Sequence, residues 1–406
     1  MEKPELLAPA GDLERLKFAV IYGADAVYLG GQEFSLRAAA GNFTLGEIKE
    51  GIEFAHMRKV KVYIAVNIMP HNEHLENIKN YIEELRPLEP EGFIVSDPSV
   101  MEIAKEVAPH IPLHLSTQAS ATNWRSIKFW EKQGISRIVL ARELSLKGIK
   151  EIRDRVDSVM ECFVHGAMCV SYSGRCLLSS YLINRDANLG QCAHPCRWRY
   201  YLMEEKRPGE YLPVFEDEHG TYILNSRDLC MIEYLPELIG AGIGSFKIEG
   251  RMKGVHYVAA VTRVYRSAID RYLEDPLNYK VDSKWLEELK KVSHRPYTTG
   301  FFLGKPVEGD QVYEDSSYIR EYSFTGVVKE YDRQKGVALI EQRNHFARGD
   351  RVEFLNPTRE PFSQVIQELY TLEGIPVEKA PHPQQLLLTP TDKEVSPYDI
   401  MRKPQV

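Results

Sequence analysis

The sequence predicts an α/β protein: a (β/α)8 TIM-like barrel with a cysteine-rich insertion after strand 7, followed by a small C-terminal antiparallel β-barrel. Three observations carry this prediction. Eight short apolar, β-rich runs alternate with amphipathic helical stretches over about the first 270 residues, as expected for a parallel sheet with helical crossovers. About 80 residues separate the seventh run from the eighth, far more than an ordinary connection. From about Tyr322 the helical period gives way to short alternating segments with turn residues between them, the pattern of a small β-domain.

The eight runs are Leu6–Pro9, Ala26–Gly30, Val60–Asn67, Gly92–Ser96, Pro112–Ser116, Arg137–Ala141, Ser158–Val164 and Ser245–Gly250. Helical stretches at Leu13–Tyr22, Leu45–Arg58, Ile78–Leu85, Ser99–Val107, Arg125–Gln133 and Leu146–Val156 lie between them, and Val255–Leu273 follows the last. A doubly wound sheet is the alternative, but no Gly-x-Gly-x-x-Gly follows the first run, which weakens it. The helix Ser283–Val292 is placed to close the barrel, and His294–Gly304 reads as a linker. The domain organisation expected is a catalytic barrel over 1–305 with the insertion at about 165–243, a linker over 306–321, and a β-domain over 322–406.

Composition sets outer limits. The chain has 406 residues, 43% hydrophobic and 27% charged, with a formal net charge of −7. An acidic balance argues against a general nucleic-acid binder and leaves room for a local RNA-binding patch. The polar N-terminus and the absence of a long apolar run predict a cytoplasmic protein without a membrane span.

All six cysteines lie between Cys162 and Cys230, spaced Cys169-x6-Cys176-x15-Cys192-x3-Cys196-x33-Cys230 after Cys162. No pair is Cys-x2-Cys, so a zinc ribbon is not indicated. Soft thiolates select zinc, copper(I) or an iron–sulfur cluster, and the loop glycines Gly166, Gly174 and Gly190 suit a chain wrapping a compact cofactor. Buried free thiols are the plain alternative. In a barrel, loops after the C-terminal strand ends form the active site, and the insertion follows such an end.

The stretch Glu161-Cys-Phe-Val-His165-Gly-Ala-Met-Cys169-Val-Ser-Tyr-Ser-Gly174-Arg-Cys176-Leu-Leu-Ser179 resembles the signature of peptidase family U32. Leu7-Ala-Pro-Ala-Gly11, Asp25-Ala-Val-Tyr-Leu-Gly30, Lys247-Ile-Glu-Gly-Arg251 and His294-Arg-Pro-Tyr-Thr-Thr-Gly300 are similar to it as well. Despite its name, the family includes oxygen-independent hydroxylases of tRNA, ribosomal RNA and ubiquinone precursors. The branch with one barrel and a β-domain implies hydroxylation of the wobble uridine of tRNA at C5, with prephenate as hydroxyl donor. The resemblance implies a [4Fe–4S] cluster on Cys169, Cys176, Cys192 and Cys230, with Cys196 fitting a variant spacing and zinc as the alternative metal. It implies tRNA as partner, and a paralogous subunit or a homo-oligomer. A hydroxylase of ribosomal RNA or another aromatic substrate, a collagenase-like protease and a non-catalytic partner subunit of a paralogue are the competing functions. The protease reading lacks a His-Glu-x-x-His helix or a Gly-x-Ser-x-Gly elbow; a Cys169–His165 pair is its only support.

Polar residues just past strand ends are Arg37, Asn67, Asp97, Gln118, Asn123, Arg142, Glu143, His165, Glu249 and Arg251. His165, Glu249 and Asn67 are the catalytic candidates. Arg37, Arg142, Arg251 and Gln118 are the substrate-binding candidates, because a guanidinium pairs bidentately with the carboxylates of prephenate; Arg175 is a further arginine of that kind. Alternation puts Glu161, Phe163 and His165 on one face, and a buried Glu161 needs a partner, for which Lys247 on the neighbouring strand is the choice. Positive charge for RNA is expected at Lys247, Arg251, Lys253, Arg263, Arg266 and Arg271, with Trp198, Tyr200 and Tyr201 as stacking candidates.

Overall fold

The computed structural model describes residues 3–35, 42–168, 227–304 and 318–405, together with the backbone of four short strands between 201 and 222. Seven parallel strands come first: β1 (Glu5–Pro9), β2 (Ala26–Leu29), β3 (Lys61–Val66), β4 (Gly92–Val95), β5 (Leu113–Leu115), β6 (Ile135–Val139) and β7 (Val159–Ala167). The four short strands, β8 (Tyr201–Met203), β9 (Tyr211–Pro213), β10 (Phe215–Asp217) and β11 (Gly220–Tyr222), pair two by two, antiparallel. Then come β12 (Asp228–Cys230) and β13 (Ser245–Ile248). Each of β1 to β6 pairs with the next, and β13 pairs with both β1 and β7, which closes an eight-stranded parallel barrel. The expected barrel is therefore present.

The helices are α1 (Leu13–Ile21), α2 (Leu45–His56), α3 (Leu75–Leu85), α4 (Pro98–Val107), α5 (Trp124–Lys132), α6 (Leu146–Arg153), α7 (Leu235–Gly240), α8 (Val255–Glu274) and α9 (Ser283–Lys290). Their starts are written in the sequence as side-chain caps: Asp12, Asp97, Asn123, Ser145 and Asp282 each accept an N–H of the first turn, and Thr44 with Glu47 forms a reciprocal capping box. Each cap satisfies a donor the helix itself leaves open. Asp97 and Asn123, two of the strand-end candidates, are spent in this way.

Strand β12 runs antiparallel to the end of β7, and β14 (Tyr297–Thr298) adds to β12. The segment read as a linker, His294–Gly304, thus contributes a strand, and His294 and Arg295 are each 4% exposed. An annexed strand such as β12 leaves an open edge, and covering it draws in the next stretch of chain.

The C-terminal region contains β15 (Tyr322–Asp332), β16 (Val337–Gln342), β17 (Phe346–Ala347), β18 (Arg351–Leu355), β19 (Phe362–Val365), β20 (Lys379–Ala380), β21 (Leu386–Pro390) and β22 (Ile400–Pro404). Six form an antiparallel half-barrel in the order β19-β18-β22-β15-β16-β21. Val328, Ile340, Phe354 and Met401 are among its core residues, whereas Val327, Leu355 and Ile400 belong to the core of the barrel's outer layer. The half-barrel is packed against the barrel, and Tyr22 Oη lies 2.9 Å from the Leu355 carbonyl and 3.0 Å from that of Tyr398.

Candidate active site at the barrel mouth

Inside the barrel, charges are stacked in layers along the axis. Glu161 is 1% exposed. It accepts from Lys247 Nζ at 2.8 Å and Arg137 Nη1 at 3.1 Å. Burial alone would raise the Glu161 pKa, but Lys247 and Arg137 outweigh it and hold the carboxyl below its ordinary value. Arg137 also bonds Glu5, and its Nη2 donates to Tyr63 Oη at 3.1 Å. The expected Glu161–Lys247 pair is present, and it forms part of a neutral set of two acids and two bases that fills the barrel floor. Lys247 Nζ lies 4.4 Å from the centre of the Tyr28 ring.

One layer higher, at the C-terminal strand ends, the mouth opens. The Arg142 guanidinium sits 3.9 Å above the Phe163 ring centre, donates to the Ala167 carbonyl at 3.1 Å, and approaches Glu249 Oε2 at 3.7 Å. Tyr28 Oη lies 3.0 Å from the Ile248 carbonyl and 3.5 Å from Glu249 Oε2. Across the mouth, Asn67 Nδ2 donates to Gln118 Oε1 at 2.9 Å, and Ser116 Oγ donates to the same oxygen at 2.8 Å. The sequence-derived candidates Arg142 and Glu249 thus form one cluster, and Asn67 and Gln118 another. Tyr28, Phe163 and Ser116 are additional members; the alternation of Ala26–Leu29 was the available signal for Tyr28.

Arg251 is 4% exposed. Its Nη1 donates to Ser35 Oγ and its Nη2 to Asn42 Oδ1, each at 2.7 Å. It ties both sides of the β2–α2 connection to the end of β13. Gly30 is needed beneath it, because a Cβ there would come within 2.5 Å of Arg251 Nη2. Arg37, Arg175, Cys169, Cys176, Cys192, Cys196, Trp198 and Tyr200, and the side chain of Tyr201, lie outside the described residues.

His165 is not on the face expected for it. Lys247 pairs opposite Phe163, but Ile248 pairs opposite His165, so β7 carries one extra residue there. A bulge reverses the alternation, and His165 turns outward. Its ring meets those of Tyr257, Tyr265 and Tyr297 at 5.9, 5.5 and 5.4 Å, with Tyr265 Oη 3.3 Å from Nδ1. Burial pushes its pKa down to about 3.

Cys230 on β12 lies directly opposite His165. Burial pushes its thiol up to about 12. A cysteine protease needs a thiolate beside an imidazolium; of the pair expected for it, Cys169 lies outside the described residues, and burial disfavours the charged form of His165. A thiol is the right kind of donor for an iron–sulfur cluster, but among the described residues no three His, Cys, Asp or Glu side chains converge as a metal site. Cys230 alone does not make a donor set.

The cations expected to meet RNA are mostly committed elsewhere. Lys247 and Arg251 are buried. Arg266 pairs with Asp25 and Asp270, Arg271 with Asp282, and Arg263 bonds the Arg359 carbonyl of the half-barrel. Lys253 donates to the Ser293 carbonyl. Lys247 is held in the barrel floor and Arg263 at the domain contact, whereas the Arg271–Asp282 pair is exposed to solvent.

The fold and a polar, arginine-bearing mouth define a TIM-barrel protein. The chain belongs to peptidase family U32: the family's profile matches residues 11–311, and that of the family's C-terminal domain matches 320–402. It is 44% identical to tRNA hydroxylation protein P1 of Bacillus subtilis strain 168, covering 99% of this chain and 95% of that protein. It is 40% identical to tRNA hydroxylation protein P of Escherichia coli strain K12, covering 88% and 87%. A protein named collagenase from Porphyromonas gingivalis strain W83 is 32% identical over 97% and 96%. No helix among the described residues is long and apolar enough to cross a membrane.

Proposed function

We propose that this chain is a tRNA-modifying enzyme that hydroxylates the wobble uridine at C5 without oxygen, with prephenate as hydroxyl donor and a [4Fe–4S] cluster held by Cys169, Cys176, Cys192 and Cys230. The likeness over nearly the whole chain to a protein named for tRNA hydroxylation supports the reaction class. The observation that carries the site assignment is Arg142, fixed over Phe163 at the mouth with Glu249 beside it. In this reading Arg142 takes a carboxylate of the donor, and the pair Asn67 and Gln118 supplies an amide edge to the nucleobase. Glu249, held near Tyr28, is the proton acceptor nearest the mouth. A cluster, when bound, would supply iron as a Lewis acid or one-electron relay. His165, turned away from the mouth, supports β12 and Cys230 and does not itself reach substrate. We place the enzyme in the cytoplasm with its tRNA, as a homo-oligomer or beside a paralogue.

The test is made in a strain lacking every member of this family. Wild-type protein supplied there restores 5-hydroxyuridine derivatives in tRNA, measured by nucleoside mass spectrometry, and the Cys230→Ala variant does not. Anaerobically purified wild type contains about four irons and four sulfides per chain. Zinc alone would remove the cluster, and unchanged nucleosides would remove the reaction. Peptide cleavage by metal-free protein, abolished by thiol alkylation, would favour the collagenase reading instead.

A further inference from the structure

Several cations of the helical layer are neutralised. Lys17 pairs with Glu50, Lys79 with Glu106, Lys105 with Glu102, and Arg266 with Asp25. The cations of helix α5 are not so paired. Arg125, Lys128 and Lys132 project from it, and Arg155, just past α6, lies alongside; among the described residues none of the four has an ion-pair partner. The one carboxylate of α5, Glu131, accepts the backbone N–H groups of Asp157 at 2.9 Å and Ser158 at 2.8 Å through Oε1, and also feels the charge of Lys128. The same surface carries aromatic rings. Arg125 and Arg155 flank the Trp124 ring at 4.8 and 5.7 Å, and Phe129 is 55% exposed. In a chain of net charge −7, this is a local group of cations beside one exposed ring, Phe129, with Trp124 half-buried between its two arginines. Unpaired cations track a phosphate backbone and aromatic faces stack on bases. The N-terminal end of this face lies on the mouth side, because α5 starts six residues after Gln118, whose side chain bonds Asn67 at the mouth.

We propose that the α5–α6 face, centred on Trp124, Arg125, Lys128, Phe129, Lys132 and Arg155, is the docking surface for the RNA substrate, holding single-stranded or loop nucleotides so that a neighbouring base enters the mouth past Gln118. This rests on the tRNA reading above. It assigns RNA docking to the barrel's own helices and not to the half-barrel or to the cations after β13.

The test measures binding of total tRNA to the full-length protein by fluorescence anisotropy at several salt concentrations. The combined variant Arg125→Ala, Lys128→Ala, Lys132→Ala, Arg155→Ala is expected to bind at least tenfold more weakly, with the slope of log affinity against log salt reduced by about 3. Phe129→Ala alone is expected to weaken binding about fivefold or more, with the slope unchanged. A control, Lys49→Ala with Lys59→Ala around helix α2, is expected to match wild type. Thermal midpoints of all variants check the fold; every changed side chain is on the surface. If wild type binds and the combined variant binds equally with the same slope, the surface is wrong and the tRNA reading stands. If folded wild type shows no salt-dependent tRNA binding, both fall. Loss of self-association with tRNA binding intact would assign the face to a protein partner and overturn the proposal.

Discussion

At the residue scale, the barrel floor and the mouth respond to different changes. Glu161 stands between Lys247 and Arg137 in the dry interior, so Glu161→Gln leaves two buried cations short of a carboxylate. A loss of about 3–5 kcal/mol is expected in urea denaturation, and a change below 1 kcal/mol would mean the interior charges are not mutually dependent. Arg142 uses both its plane, over Phe163, and its fork, toward Ala167 and Glu249. Arg142→Lys keeps the charge and loses the geometry, so prephenate affinity is expected to fall about tenfold or more by calorimetry; unchanged affinity would take Arg142 out of carboxylate recognition. Both residues were legible in the sequence, Glu161 from alternation and Arg142 from its place after a strand. The commitment of Arg251 to Ser35 and Asn42 was not legible, because its partners lie more than 200 positions away and only closure of the barrel brings them together.

At the element scale, β7 decides the most. Its bulge turns His165 away from the mouth, and its end receives β12. Gly166 sits in this turn with φ +103°, and a Cβ there would lie 2.4 Å from the Glu249 carbonyl oxygen. Gly166→Ala is therefore expected to destabilise the protein by about 2 kcal/mol or more and to displace Glu249, reading out as a lowered thermal midpoint together with reduced hydroxylation. Retention of both would mean the β7–β13 contact is compliant. Residue spacing gave the strand but not the bulge, since one extra residue changes the facing of everything after it without changing composition. Strand β22 lies between β15 and β18 at the middle of the half-barrel sheet, a place set by pairing across the sheet and not by spacing along the chain.

At the scale of the whole molecule, a buried arginine sits at the centre of a charge network in the contact between the two domains. Arg402, 0% exposed, reaches from β22 to Glu288 on α9 at 2.6 and 2.7 Å and to Glu353 at 2.9 Å, and its Nη1 donates to His256 Nε2 at 2.9 Å. Arg402→Met strands Glu288 in the contact, and a loss of about 3–5 kcal/mol is expected, with calorimetry resolving separate barrel and half-barrel transitions; a single unshifted transition would place the coupling elsewhere. The network also sets a pH dependence. Burial, and then Arg402, pushes the His256 pKa from 6.5 to about 3. The unfolded chain therefore takes up a proton below about pH 6.5 that the folded chain refuses until about pH 3, so stability falls as pH falls through that window, by up to about 1.4 kcal/mol per pH unit. His256→Gln is expected to show a shallower fall than wild type in urea midpoints between pH 7 and 5, and equal slopes would exclude His256 as a contributor. By itself the sequence determined the barrel, the half-barrel, the family and the thiol-rich insertion, because strand alternation, helix caps and a contiguous motif are local and survive without folding. Tertiary structure alone decided which charges are spent holding the fold and which remain open to a partner, because pairing follows proximity across the closed barrel and the domain contact, and that proximity is not encoded in spacing along the chain.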